Sequence, residues 1–335
     1  MTALPDARVA LTRLLTAGLL QQVVCLVARL RIPDAVADGS LSLNELAERT
    51  GMPAATLGRL LRAAAALDVL TTEGDDRYGL GSLGEPLRDR PGSLLAQAEL
   101  LTTPSLWAAW GALDHAVATG ESSFRYVNGA SLFELAGVDE QLGRVFHAWM
   151  TAQTELQIPV ILETYDFSRF SRVCDVGGGR GSLLGALLRA HPNLKGVLFD
   201  LPETVPQASA LDGLEERAER VGGDFFATVP AECDLYLLKL VLHDWDDERA
   251  VQILRVIREA ASPGARVVAV EFVVPADAQF GYATFMDINM LVLTEGGRER
   301  TAAEHANLQK EAGLEPLGSI PTRSPISLVE AAVPL

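Results

Sequence analysis

The sequence of 335 residues is long enough for two domains of ordinary size, and a hydrophobic content of 48% supplies apolar material for two cores. Its formal charge of −16 surrounds the chain with a negative field that repels phosphate backbones and anionic membranes, which argues against nucleic acid as a partner. The three cysteines, Cys25, Cys174 and Cys233, form no CxxC pair and stand in apolar contexts, so reduced packing residues are expected, and no metal is expected either, since no His/Cys/Asp cluster has metal-ligand spacing.

The N-terminus lacks a basic start followed by a cleavable apolar run. Leu14 to Ala28, interrupted by Gln21 and Gln22, is too short on this reading to span a bilayer, so the expectation is a cytoplasmic protein without membrane contact. Leu11 to Leu30 predicts an apolar helix stopped by Pro33, which must be buried in its own domain or against a partner subunit. Ser42 caps a short helix through Thr50, Gly51 and Pro53 break it, and a second helix runs from about Ala54 to Leu67. Strand-forming residues from Val69 to Leu80 around the turn Glu73 to Asp76 complete a winged-helix pattern. DNA is the obvious ligand of such a unit, yet its would-be recognition helix offers only Arg59 and Arg62 among Leu and Ala. Helical pattern continues through Ser93 to Thr119, and two segments, Val138 to Gln157 and Val160 to Tyr165, flank Pro159.

From Arg172 the character changes. Short β-type runs at Val173 to Val176, Gly196 to Phe199, Leu235 to Leu238 and Val267 to Val270, with a further strand ahead of Gly222, alternate with helices. This predicts an α/β fold with a doubly wound, mostly parallel sheet, whose ligands gather at the carboxyl ends of the strands. The division expected is a helical domain over 1–165 and an α/β domain over 166–335.

The first run ends in Asp175-Val176-Gly177-Gly178-Gly179-Arg180-Gly181 and passes straight into the helical Ser182 to Ala190. Gly177, Gly179 and Gly181 let the backbone turn tightly and let a ligand lie against main-chain N–H groups. The G-x-G-x-G spacing is one residue tighter than the dinucleotide pattern and suits a ligand without phosphates. Asp200 closes the second strand about 20 residues on, where an acid that binds ribose hydroxyls is expected. In Gly222-Gly223-Asp224-Phe225 the acid can accept from an adenine amino group and the ring can pack on its face.

His243, after the fourth strand in Lys239-Leu240-Val241-Leu242-His243-Asp244-Trp245, stands at the mouth of the crevice as a candidate base. Glu271, closing the neighbouring fifth strand, is placed to reach the imidazole, fix its tautomer and stabilise the imidazolium. Glu299, in Gly296-Gly297-Arg298-Glu299-Arg300, is by spacing alone equally a solvated loop charge. Asp246 to Glu248 fit a helix cap and first turn.

The segments DVGGGRG, FDLP, GGDFF, LKLVLHDWDDE and GGRERT occur in an order and spacing by which the chain, from about Leu11 onward, resembles the plant-type class I S-adenosylmethionine-dependent O-methyltransferases. The bacterial secondary-metabolite members, of the carminomycin 4-O-methyltransferase type, are included in that resemblance. It implies a Rossmann-like methyltransferase domain behind an N-terminal winged-helix dimerisation domain, hence a homodimer, with the last helices of the N-terminal part bordering the acceptor pocket. It further implies S-adenosylmethionine as cofactor and S-adenosylhomocysteine as product. Cofactor contacts then fall on Asp175, Gly177, Gly179, Gly181, Asp200, Leu201, Gly223, Asp224, Phe225 and Lys239. The general base falls on His243, flanked by Glu271 and Glu299, and the acceptor pocket on His147, Trp149, Met150, Asp244, Met286, Asn289 and Met290. The reaction implied is methylation of a phenolic or enolic hydroxyl on a small aromatic or polyketide metabolite. Two alternatives stay open at this point: a relative that keeps the cofactor but hydroxylates or rearranges its substrate, and a winged-helix regulator that senses a ligand.

Overall fold

The computed structural model describes residues 6–277 and 281–335. They form two compact units, one running up to Trp107 and including Ala136–Ala152, the other made of Ala108–Leu135 and Gln153–Leu335. The chain thus changes unit at 107/108, 135/136 and 152/153, where the sequence suggested a single boundary after 165.

The first unit begins with helix α1 (Ala7–Arg29), followed by β1 (Leu41–Ser42), α2 (Leu43–Thr50), α3 (Ala54–Ala66), β2 (Leu70–Glu73) and β3 (Arg77–Leu80). Ser42 caps α2 as expected: its hydroxyl accepts from Glu45 N, and the Glu45 carboxylate accepts from Ser42 N. Leu57, Leu61 and Ala64, at helical spacing on α3, are buried with Leu46 of α2 and with Val27, Ala28 and Ile32. The wing is antiparallel, β2 and β3 pairing Leu70 with Leu80 and Glu73 with Arg77, with β1 on the other side of β3.

Helix α1 departs from expectation in two respects. It is 23 residues long, so by length and composition it could cross a membrane, and the expectation that this segment is too short is corrected. It also buries only Cys25, Val27 and Ala28, while Leu11, Leu14, Leu15 and Leu19 stand exposed. Helix α4 (Glu140–Thr164) begins in the first unit and ends in the second, running unbroken through Pro159 where two segments were expected. The lost N–H bond is offset by the packing of Ile158, Ile161 and Leu162 on the core of the second unit.

In the second unit the main strands are β4 (Arg172–Val176), β5 (Lys195–Asp200), β6 (Ala218–Gly222), β7 (Leu235–Lys239), β8 (Arg266–Val274), β9 (Arg300–Thr301), β10 (Glu315–Pro321) and β11 (Ile326–Ala332). The described sheet has the order β10-β11-β8-β7-β4-β5-β6, with β9 pairing β8 off this path. Five strands from β6 to β8 are parallel, and β11 and β10 close the sheet antiparallel. The alternation of side chains along each strand feeds two cores. Val173, Leu198, Leu237 and Val268 go to one face, and Cys174, Val197, Tyr236, Leu238 and Val267 to the other. The order reverses at β4, whose neighbours are β5 on one side and β7 on the other, and this switch point opens the crevice that holds the candidate site.

Candidate active site

The turn after β4 is anchored by the helix it leads into. This helix, α5 (Ser182–Ala190), buries Leu183, Leu184, Leu187 and Leu188, each contributing about 1.5–3 kcal/mol. Its N-cap, Gly181, is left-handed at φ 76°, as are Gly177 at 68° and Gly179 at 57°. At Gly177 space matters too, because a Cβ would stand 2.9 Å from Val241 Cγ2. At Gly179 a Cβ would meet nothing within 4 Å, so the turn faces open space there. The main-chain N–H of Gly179 donates to Asp200 Oδ2 at 2.8 Å, and that of Leu201 to Asp200 Oδ1 at 2.7 Å. Asp200 therefore joins the ends of β4 and β5, with lone pairs remaining on both oxygens.

Asp175 lies beneath this turn, 1% exposed, and burial pushes its carboxyl up to about 7 in spite of the nearby Lys239 ammonium. Burial likewise lowers Lys239 to about 8, against the pull of Asp175 and Glu271. Past β6, Gly223 N donates to Asp200 O at 2.9 Å, and Asp224 Oδ1 accepts from Phe226 N at 2.9 Å. The Phe225 ring edge would lie 3.8 Å from a Cβ on Gly177, which brings the expected adenine-side aromatic to the glycine turn. Open space over left-handed glycines, a carboxylate at the adjacent strand end and an aromatic face beside them fit an adenosyl group.

Beyond β7 the backbone turns sharply: Leu240 takes φ 53°, a conformation costing a side-chain-bearing residue about 1–2 kcal/mol, offset by burial of its own side chain. A 3₁₀ turn over Leu242–Asp244 then presents His243. The imidazole Nδ1 lies 2.8 Å from Glu299 Oε1 and 3.9 Å from Glu271 Oε2, while Nε2 lies 3.6 Å from Asp244 Oδ1. From the order of strand ends Glu271 was the expected partner of the imidazole, but Glu299 makes the short contact. Glu271 Oε1 is taken up by Val241 N at 3.2 Å and Leu242 N at 3.0 Å, and β8 runs on past it to Val274.

Burial works against a charged imidazole here, but Asp244, Glu299 and Glu271 outweigh it and push His243 up to about 10. Burial pushes Glu271 up to about 7 and Asp244 upward as well, each opposed by His243. Ligand atoms of His243, Glu271 and Glu299 lie within 4.8 Å of one another, near enough to share a cation, a grouping that sequence spacing did not reveal. Sequence reasoning also missed Asp287, whose Oδ1 accepts from Glu299 N at 3.0 Å, and the buried Arg300. The only signal for Arg300 was its place before the capping pair Thr301 and Glu304.

The residues expected to border the acceptor divide between the two units. In the second, helix α7 (Tyr282–Leu293) carries Met286 and Met290, one turn apart and both buried in the core, and the half-buried Asn289. Asp244 is half-buried beside His243. In the first unit His147 is exposed, Trp149 and Met150 are half-buried, and the rings of Phe146 and Trp149 are 6.1 Å apart.

Comparison with known proteins identifies the family. Residues 110–315 match the O-methyltransferase domain family, and residues 12–87 match the O-methyltransferase dimerisation domain. The chain is 37% identical over 325 residues to the phenazine O-methyltransferase PhzM of Lysobacter antibioticus, covering 96% of this chain and 95% of that protein. It is 41% identical over 312 residues to the O-methyltransferase SfmM3 of Streptomyces lavendulae, covering 90% and 93% of the two. The structure of human N-acetylserotonin methyltransferase, solved in complex with S-adenosylmethionine, superposes with a TM-score of 0.91 at 26% identity and covers 100% of both chains. The chain therefore belongs to the O-methyltransferase family, as an S-adenosylmethionine-dependent enzyme that carries the family's dimerisation domain.

Proposed function

We propose that the enzyme methylates a phenolic or enolic hydroxyl of a small, flat aromatic or polyketide secondary metabolite, with His243 taking the hydroxyl proton. The observation that carries this reading is the 2.8 Å contact of Nδ1 with Glu299, which supports a tautomer whose Nδ1–H donates to the carboxylate and whose Nε2 is the basic nitrogen. Glu299 orients the ring and stabilises the imidazolium, and Glu271, tied to the main chain of Val241 and Leu242, adds negative charge behind it.

When bound, S-adenosylmethionine supplies an electrophilic methyl group on positively charged sulfur. Gly177, Gly179 and Gly181 would give it a backbone surface without side chains, their own N–H groups being spent on Phe199 O, Asp200 Oδ2 and Gly178 O, while Asp200 and Leu201 would hold the ribose side and Gly223, Asp224 and Phe225 the adenine side. Asp175 and Lys239 support the turn from below. The cofactor's positive charge, once bound, would favour the neutral form of a nearby imidazole, and the ends of β4 and β7 that would carry the two groups are neighbours in the sheet. The base contributes on the order of 10²- to 10⁴-fold, and positioning of oxygen against methyl supplies the larger part of the rate.

The phenazine acceptor named for the Lysobacter relative supports a flat ring as substrate. Met286, Asn289, Met290 and Asp244, and separately His147, Trp149 and Met150, are the acceptor contacts on this reading. The N-terminal part around residues 12–87 serves dimerisation and the part that holds the glycine turn serves cofactor binding, and the bare leucines of α1 are covered by a second copy in a cytoplasmic homodimer. Incubation of His243→Ala with cofactor and a panel of phenolic and polyketide acceptors tests the base. S-adenosylhomocysteine formation should vanish while calorimetry still shows cofactor binding, and turnover above about a tenth of wild type would remove His243 from the role.

A further inference from the structure

Besides Glu271, a second buried side chain fastens the turn that carries His243. Arg300 is 1% exposed, and a guanidinium has five N–H donors and keeps its charge, so burial obliges it to find acceptors. Nη1 donates to Leu242 O at 2.9 Å, Nη2 to Trp245 O at 2.8 Å, and Nε to Asp247 Oδ1 at 2.9 Å. The two carbonyls bracket His243 and Asp244 in the chain. The carbonyl of His243 itself is held by Arg298 N at 2.8 Å. Gly297 packs so closely that a Cβ there would stand 2.6 Å from His243 O and 2.8 Å from Asp244 C.

The fastening is itself anchored. Arg300 pairs with Val273 of β8, the strand that carries Glu271, and Thr301 caps helix α8 (Ala302–Glu311) through its box with Glu304. Asp247 opens helix α6 (Asp247–Ala260). A turn entered through a left-handed Leu240 is thus tied to two helices and to the strand of its acidic neighbour.

We propose that Arg300 is a positioning residue for methyl transfer: its guanidinium fixes the Leu242–Trp245 turn so that the imidazole of His243 keeps its distance to Glu299 and Glu271. The proposal rests on the reading of His243 as the base. Only a planar fork reaches two carbonyls and a carboxylate at once, and an ammonium on a single nitrogen does not span them.

Arg300→Lys and Asp247→Asn, measured beside wild type, test this. For Arg300→Lys, kcat should fall on the order of 10²-fold while the acceptor KM and the cofactor Kd stay within about threefold. The rising limb of its pH profile should move to lower pH, because a looser imidazole loses part of the carboxylates' hold on its proton. In the resting protein, ¹⁵N-histidine NMR should show the His243 Nδ1 signal shifted, the signal being identified by its absence from His243→Ala. Asp247→Asn, which loosens one arm of the fork, should change the same quantities in the same direction by a few-fold, and it decides the matter if Arg300→Lys does not fold. A folded, cofactor-binding Arg300→Lys with kcat and pH profile within about twofold of wild type overturns the proposal. So does a loss of kcat without any shift in pH profile or Nδ1 signal, which is the mark of a merely structural role. If wild type forms no S-adenosylhomocysteine, the underlying reading fails, and the NMR comparison still decides whether Arg300 holds the ring.

Discussion

Glu299→Gln takes one negative charge from the surroundings of His243 while keeping an oxygen that can accept the Nδ1 proton. His243 is pushed up to about 10, against roughly 6.5 for an ordinary histidine, and burial acts in the opposite sense. Asp244, Glu299 and Glu271 together hold it there against burial. A neutral amide at the 2.8 Å contact should therefore lower His243 below about 10. The mechanism sets the sign: a base is active only when deprotonated, so activity is lost as pH falls through its pKa, and lowering that pKa moves the rising limb of kcat to lower pH. The plateau should fall by on the order of tenfold, a part of what the base contributes, because the imidazolium formed during transfer loses its charged partner. The assay is S-adenosylhomocysteine formation at saturating cofactor and acceptor from about pH 6 to about pH 10. A limb that does not move, or a plateau that does not drop, would refute the assignment of Glu299 as the partner of the base.

Gly177→Ala forces a side chain onto a left-handed residue and against Val241 Cγ2, so cofactor affinity measured by calorimetry should weaken by about tenfold or more, and a Kd within about twofold of wild type would show that the turn does not hold the cofactor. Leu15→Glu combined with Leu19→Glu charges two leucines that are 76% and 69% exposed in the single chain, and sedimentation should then show monomer, whereas a persistent dimer would place the subunit contact elsewhere.

Much of the second unit was legible because its signals are local. The glycine turn joins a β-branched run to an amphipathic helix, and near-continuous burial along β4, β5, β7 and β8 matches the unbroken apolar runs read from the sequence. Asp200 was found at the end of β5 because βα units recur at a regular length. What escaped was set by contacts distant in sequence. Glu299 meets His243 across 56 residues, and no spacing rule distinguishes it from a loop charge between two arginines. Arg300 was not singled out at all, although its three nitrogens are engaged at the turn that carries His243. The unbroken α4 escaped for a different reason, since a proline's local preference was outweighed by packing that only the tertiary structure supplies. The winged pattern of the first unit was correctly drawn, and the unit matches a dimerisation domain.

The strand that carries Glu271 has a neighbour made late. β11 lies between β10 and β8 and pairs Ser327 with Glu271, so until residues 326–332 emerge from the ribosome one flank of β8 stays bare along Val267–Val270. A nascent chain arrested short of Ile326 would present an unsatisfied, sticky sheet edge to its surroundings and would call on chaperones for cover. Maturation of the enzyme thereby waits on a segment translated more than fifty residues after the strand it covers.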